Sequence, residues 1–386
     1  MVAQDTLPLG LTFDDVLLLP GYADFSRSDI NLSTKLTKKI SLQLPLVSSP
    51  MDTVTESGVA IGLGKRGGIG IIHRNLTTSD QVAEVKKVKG HNLLVGAAIG
   101  VSKGFEERVE ALVKAGVDVI VIDSAHGFAK SIIEAVKHIK ATYSVEVIAG
   151  SVATFDGAKA LIEAGADALR VGMGPGAICT TRIISGMGVP QVTAIMETVK
   201  AARSSQSSLG QAVPVVADGG IKYSGDIVKA LAAGASAVMM GSFFASCIEA
   251  PGKTVELTRA QVPHRFQSIF QSGKETYLFK EYRGMGSVGA MQKGATMKSG
   301  DEFHGKDYKD RVLVAEGVEA LVPVKGGVEE LVDQAVGGMK SGFYYVGARN
   351  ITDLWKKANF IQITQASLSE SHPHSILITN PGENYS

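Results

Sequence analysis

The chain has 386 residues, with 39 basic and 38 acidic side chains and two cysteines. A net charge near zero excludes broad electrostatic attraction to nucleic acid or an anionic membrane, and it points to a small-molecule partner. Two cysteines cannot build a disulfide framework, Met1 to Gly10 lacks a basic start and a long apolar core, and runs such as Val117 to Ile122 are too short to span a bilayer. A reduced, cytoplasmic protein is expected.

Eight short apolar segments follow one another along the chain, each ending in polar or glycine residues: Leu46 to Ser49, Gly68 to His73, Leu93 to Gly100, Val117 to Asp123, Val145 to Ser151, Ala168 to Gly172, Pro214 to Asp218 and Ala237 to Ser242. Between them lie amphipathic stretches with helical spacing, including Glu106 to Ala115, Ser131 to Ala141, Ala158 to Ala164 and Gly225 to Ala233. An internal echo, Ala115-Gly116-Val117-Asp118, Ala164-Gly165-Ala166-Asp167 and Ala233-Gly234-Ala235-Ser236, stops a helix and launches a strand each time. This alternation predicts an α/β fold, a (β/α)8 TIM barrel in one catalytic domain spanning residues 1–386. A doubly wound open sheet has the same pattern and stays open as the alternative.

Residues 250–330 read as an insertion rich in Gly, Lys and Tyr, either a mobile flap or, for the polar run Lys298 to Arg311, a solvated loop. The tail from Ser367 to Ser386 reads as irregular chain that packs on a neighbouring subunit.

In a barrel the chemistry sits at the carboxyl ends of the strands. The sixth of these ends carries Gly172-Met173-Gly174-Pro175-Gly176-Ala177-Ile178-Cys179-Thr180-Thr181-Arg182. The glycines permit positive φ and close approach to a ligand, and Arg182 and the threonine hydroxyls favour a nucleophilic thiolate. The competing reading is a small buried hydrophobe beside a tight turn. Asp218-Gly219-Gly220 and Gly241-Ser242 end the last two strands, where barrels bind phosphate through glycine N–H groups. Asp218 suits a ribose diol, and Asp123 with Ser124 suits a second ribose; helix capping is the alternative for both carboxylates. His73, His126, His372 and His374 match no metal-ligand spacing, and the glycine patterns match neither a Walker loop nor the dinucleotide fingerprint.

Leu11 to Pro20, Met51 to Glu56, Gly67 to His73, the Cys179 loop and Tyr282-Arg283-Gly284-Met285-Gly286-Ser287 together resemble the inosine-5′-monophosphate (IMP) dehydrogenase family in order and over nearly the whole chain. The resemblance implies attack of Cys179 on C2 of IMP, hydride transfer to NAD, and hydrolysis of a thioimidate to xanthosine monophosphate (XMP). It implies an IMP site of Ser49, Met51, Asp218, Gly219, Gly220, Gly241, Ser242, Tyr282, Met285, Gly286 and Glu316. NAD falls to Asp123, Ser124, Gly172 and Gly174. Potassium falls to carbonyls of Gly174, Gly176 and Cys179 with Glu370, Ser371 and His372 of a neighbour, in a homotetramer. Thr181 and Glu316 join Cys179 as catalytic residues.

The chain also departs from that pattern. Leu76 to Asn92 alone leads to the third strand where most members carry a regulatory CBS pair, so no CBS domain is expected. Lys298 and Ser299 stand where the family has a water-activating Arg-Tyr pair, and neither Tyr308 nor Arg311 forms such a dipeptide. Ala177 replaces a serine, and Ser151 an asparagine. The nearest rival is guanosine monophosphate (GMP) reductase, against which Val288 and Met285-Gly286-Ser287 argue. A weakly active nucleotide-binding paralogue and a flavin-dependent barrel oxidoreductase are further alternatives.

Overall fold

Eight parallel strands close on themselves: β1 (Leu46–Ser48), β2 (Ile69–Ile72), β3 (Val95–Ile99), β4 (Val119–Asp123), β5 (Glu146–Val152), β6 (Ala168–Val171), β7 (Val215–Asp218) and β8 (Ala237–Met240). The computed structural model describes residues 7–205, 212–264, 267, 270, 274–299, 314–376 and 378. β8 pairs with β1 through Val238 and Leu46, Met239 and Val47, and Met240 and Ser48. That closure excludes the open sheet.

Helices α1 (Ser57–Lys65), α2 (Thr78–Lys89), α3 (Phe105–Lys114), α4 (Lys130–Thr142), α5 (Phe155–Glu163), α6 (Gln191–Ser204), α7 (Ser224–Ala232) and α8 (Val328–Val346) surround the strands. In α3, Phe105, Val109 and Leu112 recur at helical spacing and turn inward, Glu106 and Glu107 favour the first turn, and Lys114 favours the last. The echo has a mechanical role. Gly116, Gly165 and Gly234 take φ of +86°, +103° and +109°, which ends each helix sharply. The aspartates two residues later then tie strand to helix: Asp118 accepts from Val95 N (2.8 Å) and Lys89 Nζ (2.9 Å), and Asp167 from Val147 N (2.9 Å) and Lys140 Nζ (2.6 Å).

Inside the barrel, Val47, Ile69, Ile71, Ala98, Val119, Val121, Ile148, Ala168, Val216, Ala237 and Met239 form one apolar cluster, with Leu36 and Leu42 packed against it. Full burial of each large side chain is worth about 1.5–3 kcal/mol, so this plug stabilises the barrel strongly. Side chains alternate along a strand with a period of two. The next interior position at the carboxyl end is therefore Ser49 after β1, His73 after β2, Asp123 on β4, Arg170 on β6, Asp218 on β7 and Gly241 after β8. An apolar plug thus carries a polar top layer.

The insertion differs from a plain loop. It forms an antiparallel sheet of β9 (Thr254–Thr258), β10 (Thr276–Arg283) and β11 (Glu319–Pro323), with a helix at Val288–Ser299. It stops before residue 328, because Val328, Leu331 and Val332 are buried as the first turns of α8. Most of the Lys298 to Arg311 run, with Tyr308 and Arg311, lies outside the described residues. The tail also differs from expectation: Gln365–Glu370 is helical, with the Thr364 side chain accepting from Ser367 N. β2 leads to α2 through residues 73–77 alone. Among the described residues no helix is long and apolar enough to cross a membrane.

The sheet is fastened to the barrel by Asp52, whose side chain is fully buried. It accepts from Arg283 Nε (3.0 Å) and Nη2 (2.6 Å) and from Asn75 Nδ2 (3.2 Å), and Asn75 also donates to the Ala290 carbonyl (3.0 Å). Burial raises the Asp52 pKa, but the Arg283 and Asn75 bonds outweigh it, and the net position is below the ordinary 3.8. A depressed carboxylate contributes stability that is complete above its unfolded pKa and is lost as pH falls through the lower folded value. Thermal stability should therefore fall below about pH 4 more steeply in the native chain than in Asp52→Asn, which is less stable at neutral pH. Parallel acid limbs in the two proteins would contradict this.

Candidate active site

Three distant segments meet at Cys179. Thr180 N donates to the Glu316 carbonyl (2.9 Å), Val318 N to the Ile178 carbonyl (2.9 Å), Glu316 N to the Gly286 carbonyl (3.0 Å) and Gly284 N to the Val318 carbonyl (3.0 Å). These bonds stitch the cysteine loop and the Gly284 turn to the strand entering β11. Their result is a side-chain relay. The Cys179 thiol donates to Thr181 Oγ1 (3.2 Å), and the Thr181 hydroxyl donates to Glu316 Oε2 (2.8 Å).

The two cysteines divide the two readings of a free thiol. Cys247 is fully buried, and burial first, then the Glu249 charge, pushes its thiol far above the ordinary range. Cys179 is only partly buried and points its sulfur into a polar relay. The small buried hydrophobe is Cys247.

Arg182 does not serve the sulfur as expected. Its Nε donates to the Met173 carbonyl (3.2 Å) and its Nη2 to the Val189 carbonyl (2.8 Å), so it braces the two limbs of the loop. The glycines at 174 and 188 make room for it. A Cβ on Gly174, where φ is +76°, would stand 2.7 Å from Arg182 Cγ, and one on Gly188 would stand 2.6 Å away.

Neither acidic residue singled out in the sequence caps a helix. Asp218 Oδ2 accepts from Arg170 Nε (2.7 Å), and its Oδ1 accepts from Ser49 Oγ (3.3 Å). The cap of α7 is supplied by Asp226, which accepts from Lys222 N and Tyr223 N. Asp123 accepts from Arg74 Nε (2.9 Å) and Arg170 Nη1 (2.6 Å). Burial opposes ionisation of Asp123, but Arg170 and Arg74 outweigh it and hold the carboxyl below the usual carboxylate range. Ser124, next in the chain, closes a small turn in which its hydroxyl donates to the His126 carbonyl (3.1 Å).

Beside Asp218, Gly219 and Gly220 turn at φ of +88° and +78°. Gly241, Met51 and Tyr282 are close neighbours: a Cβ on Gly241 would lie 2.6 Å from the Tyr282 hydroxyl and 3.0 Å from Met51 Sδ. Burial, followed by the charges of Asp218 and Cys179, pushes the Tyr282 phenol well above its ordinary range. It stays a neutral phenol whose oxygen accepts from the Ser242 backbone N–H. Gly241→Ala should displace the phenol and raise KM for a phosphorylated substrate about tenfold with kcat little changed, as steady-state kinetics would read. Met285 and Gly286 lie on the turn joined to Glu316. Gly172, at φ +153°, lets the cysteine loop abut Asp218, whose carbonyl oxygen a Cβ there would meet at 2.3 Å. Gly176 accepts from Cys179 N through its carbonyl (3.0 Å). Of the tail residues, Glu370 ends the Gln365–Glu370 helix, Ser371 donates its hydroxyl to the Ser367 carbonyl (2.9 Å), and the His372 ring stands 6.0 Å from Tyr223.

The family model described as IMP dehydrogenase / GMP reductase domain matches residues 10–374. The chain belongs to this family. It is 44% identical over 420 residues to an inosine-5′-monophosphate dehydrogenase of Cryptosporidium parvum, with 98% of each chain covered. It is 40% identical to the protein of that name from Aquifex aeolicus, with 97% of each chain covered. A Borreliella burgdorferi protein of the same name is 40% identical, with 95% of this chain and 97% of that one covered.

Within this IMP dehydrogenase / GMP reductase barrel, sequence reasoning overlooked three residues. Arg170 joins Asp123 to Asp218, Arg74 takes the outer face of Asp123, and Gln191 Nε2 donates to the carbonyls of Val171 (3.0 Å) and Asp218 (2.9 Å). A signal for Arg170 existed. It is a charged residue two positions beyond Ala168 in an otherwise apolar strand, at the same parity as the interior side chains.

Proposed function

We propose that the site oxidises IMP to XMP with NAD, through a covalent bond between Cys179 and C2 of the purine. The Cys179 to Thr181 to Glu316 relay carries this reading, because it gives the nucleophile a route for its proton. The relatives named inosine-5′-monophosphate dehydrogenase, similar over nearly their whole length, support the substrate.

In the first half-reaction sulfur adds to C2, and the thiol proton passes through Thr181 to Glu316 and from there to solvent, leaving the carboxylate ionised for the second. A hydride then leaves C2 for NAD, and the S–C2 bond becomes a thioimidate. In the second, water adds to C2, Thr181 and Glu316 take its proton, the C–S bond breaks, and that proton returns through Thr181 to the sulfur, so that the thiol is restored and XMP is released. The sum consumes IMP, NAD and water and yields XMP, NADH and a proton. General base catalysis contributes about 10²–10⁴-fold, enough to make Glu316 the main lever on hydrolysis. Asp218 with Ser49 would accept the IMP ribose hydroxyls. Gly219, Gly220, Gly241, Ser242 and Tyr282 would receive the phosphate, and Met51, Met285, Gly286 and Glu316 the base. Asp123, Ser124, Gly172 and Gly174 would line the NAD half.

The donor chemistry of the loop suits potassium. The Gly176 carbonyl keeps a second lone pair beyond its bond from Cys179 N, and carbonyls on one tight turn match a hard monovalent cation. Gly174, Gly176 and Cys179 would hold it, with Glu370, Ser371 and His372 from a second copy in a homotetramer. Such an ion would order the loop that aims the sulfur. We read the chain as one catalytic domain without a CBS module, acting in the cytoplasm on small molecules.

Steady-state assays of IMP with NAD against GMP with NADPH test the reading. Turnover of the first pair is expected. Turnover of GMP with NADPH alone would make the chain a reductase, and turnover of neither would leave a nucleotide-binding protein. Val288, at the start of the Val288–Ser299 helix, and Met285-Gly286-Ser287 favour the first pair.

A further inference from the structure

The top layer of the barrel contains a line of alternating charge. Arg74 Nε donates to Asp123 Oδ2 (2.9 Å), Arg170 Nη1 to Asp123 Oδ1 (2.6 Å), Arg170 Nε to Asp218 Oδ2 (2.7 Å), and Ser49 Oγ to Asp218 Oδ1 (3.3 Å). The side chains of Arg170, Asp123 and Asp218 retain only 13%, 11% and 15% of their exposure. One guanidinium thus serves two largely covered carboxylates from different edges, which its planar fork allows and a lysine ammonium does not reproduce. Without it, two like charges would share a poorly solvated mouth, and each side chain would tend to turn away from the other. A carboxyl rotated out of place is a worse acceptor for a ribose diol.

We propose that Arg170 is a positioning residue that couples the two ribose subsites, so that Asp123 and Asp218 present correctly aimed oxygens to NAD and IMP together. This rests on the assignment of those subsites under the proposed function. Arg170 reaches both carboxylates in this scheme. It acts through the carboxylates. The coupling has a distinctive consequence: a change at one carboxylate reaches the other ligand across the barrel.

The test uses the full chain with IMP and NAD. Arg170→Lys should raise KM for both substrates about tenfold, the size expected for a buried coupled network. Asp123→Asn should raise KM for IMP at least threefold as well as KM for NAD, and Asp218→Asn should do the reverse, on the order of the same coupling. These carboxamide variants carry the test if Arg170→Lys folds poorly. A purely structural role would lower the thermal midpoint without this crossed pattern. KM for either substrate within about twofold of the native value in Arg170→Lys overturns the inference, as do Asn variants that each affect one ligand only. A native chain that turns over no IMP with NAD overturns the proposed function, and the inference with it; the preceding outcomes, seen in an active native chain, overturn the inference alone.

Discussion

Cys179→Ala should abolish NADH formation from IMP, by at least about 10³-fold in kcat, because the proposed reaction needs a sulfur bonded to C2 and, among the described residues, no other thiol lies at the mouth. Cys247, the other thiol, is buried at the Phe243–Cys247 turn with its sulfur directed at the Phe243 carbonyl (3.9 Å). The alanine variant should still bind IMP, since Asp218, Ser49 and the glycine turns are untouched. Absorbance at the NADH wavelength measures the loss, and intact-protein mass spectrometry of the quenched native enzyme should find a purine nucleotide adduct that the variant lacks. Cys247→Ala serves as the control and should keep native turnover. Persistent NADH formation in Cys179→Ala would remove covalent catalysis from the mechanism.

Glu316→Gln separates the two half-reactions. The glutamine still accepts the Thr181 hydrogen bond of 2.8 Å through its carbonyl oxygen, so the loop geometry survives, but it no longer takes up a proton. Hydride transfer should continue, because the Cys179 thiol, only partly buried, can lose its proton to solvent, whereas water needs a base, so hydrolysis should slow by about 10²–10⁴-fold, the usual contribution of a general base. Stopped-flow traces should then show a burst of NADH near one equivalent per site followed by slow turnover, with the adduct accumulating. If the variant turns over at the native steady rate and Arg311→Ala does not, water is activated from the flap segment instead. Lys298 and Ser299 in place of an Arg-Tyr pair make the relay through Thr181 the better supported route.

The barrel was legible because its signals are local. Alternating apolar runs and amphipathic stretches reflect periods of two and 3.6 set by backbone geometry, and Gly116, Gly165 and Gly234 marked helix ends at which positive φ is needed. The glycine-rich setting of Cys179 was equally local. The insertion was harder to read, since β9, β10 and β11 pair across long sequence gaps and Arg283 meets Asp52 only after both are folded. The helix at Gln365–Glu370 was missed because a short polar helix has no apolar stripe. Arg182 was assigned to the sulfur by sequence proximity, whereas its length and planar head carry it to the Met173 and Val189 carbonyls.

The sequence by itself determined the family and the eight-stranded plan and singled out Cys179 as the candidate nucleophile, because these follow from short-range patterns and residue type. Only the tertiary structure decided that the plan closes between β8 and β1, that Thr181 links Cys179 to Glu316, and that Arg170 stands between Asp123 and Asp218. The physical reason is one of distance along the chain. Charge pairing and proton relays depend on contacts of about 3 Å between groups far apart in sequence, and only chain closure fixes those contacts.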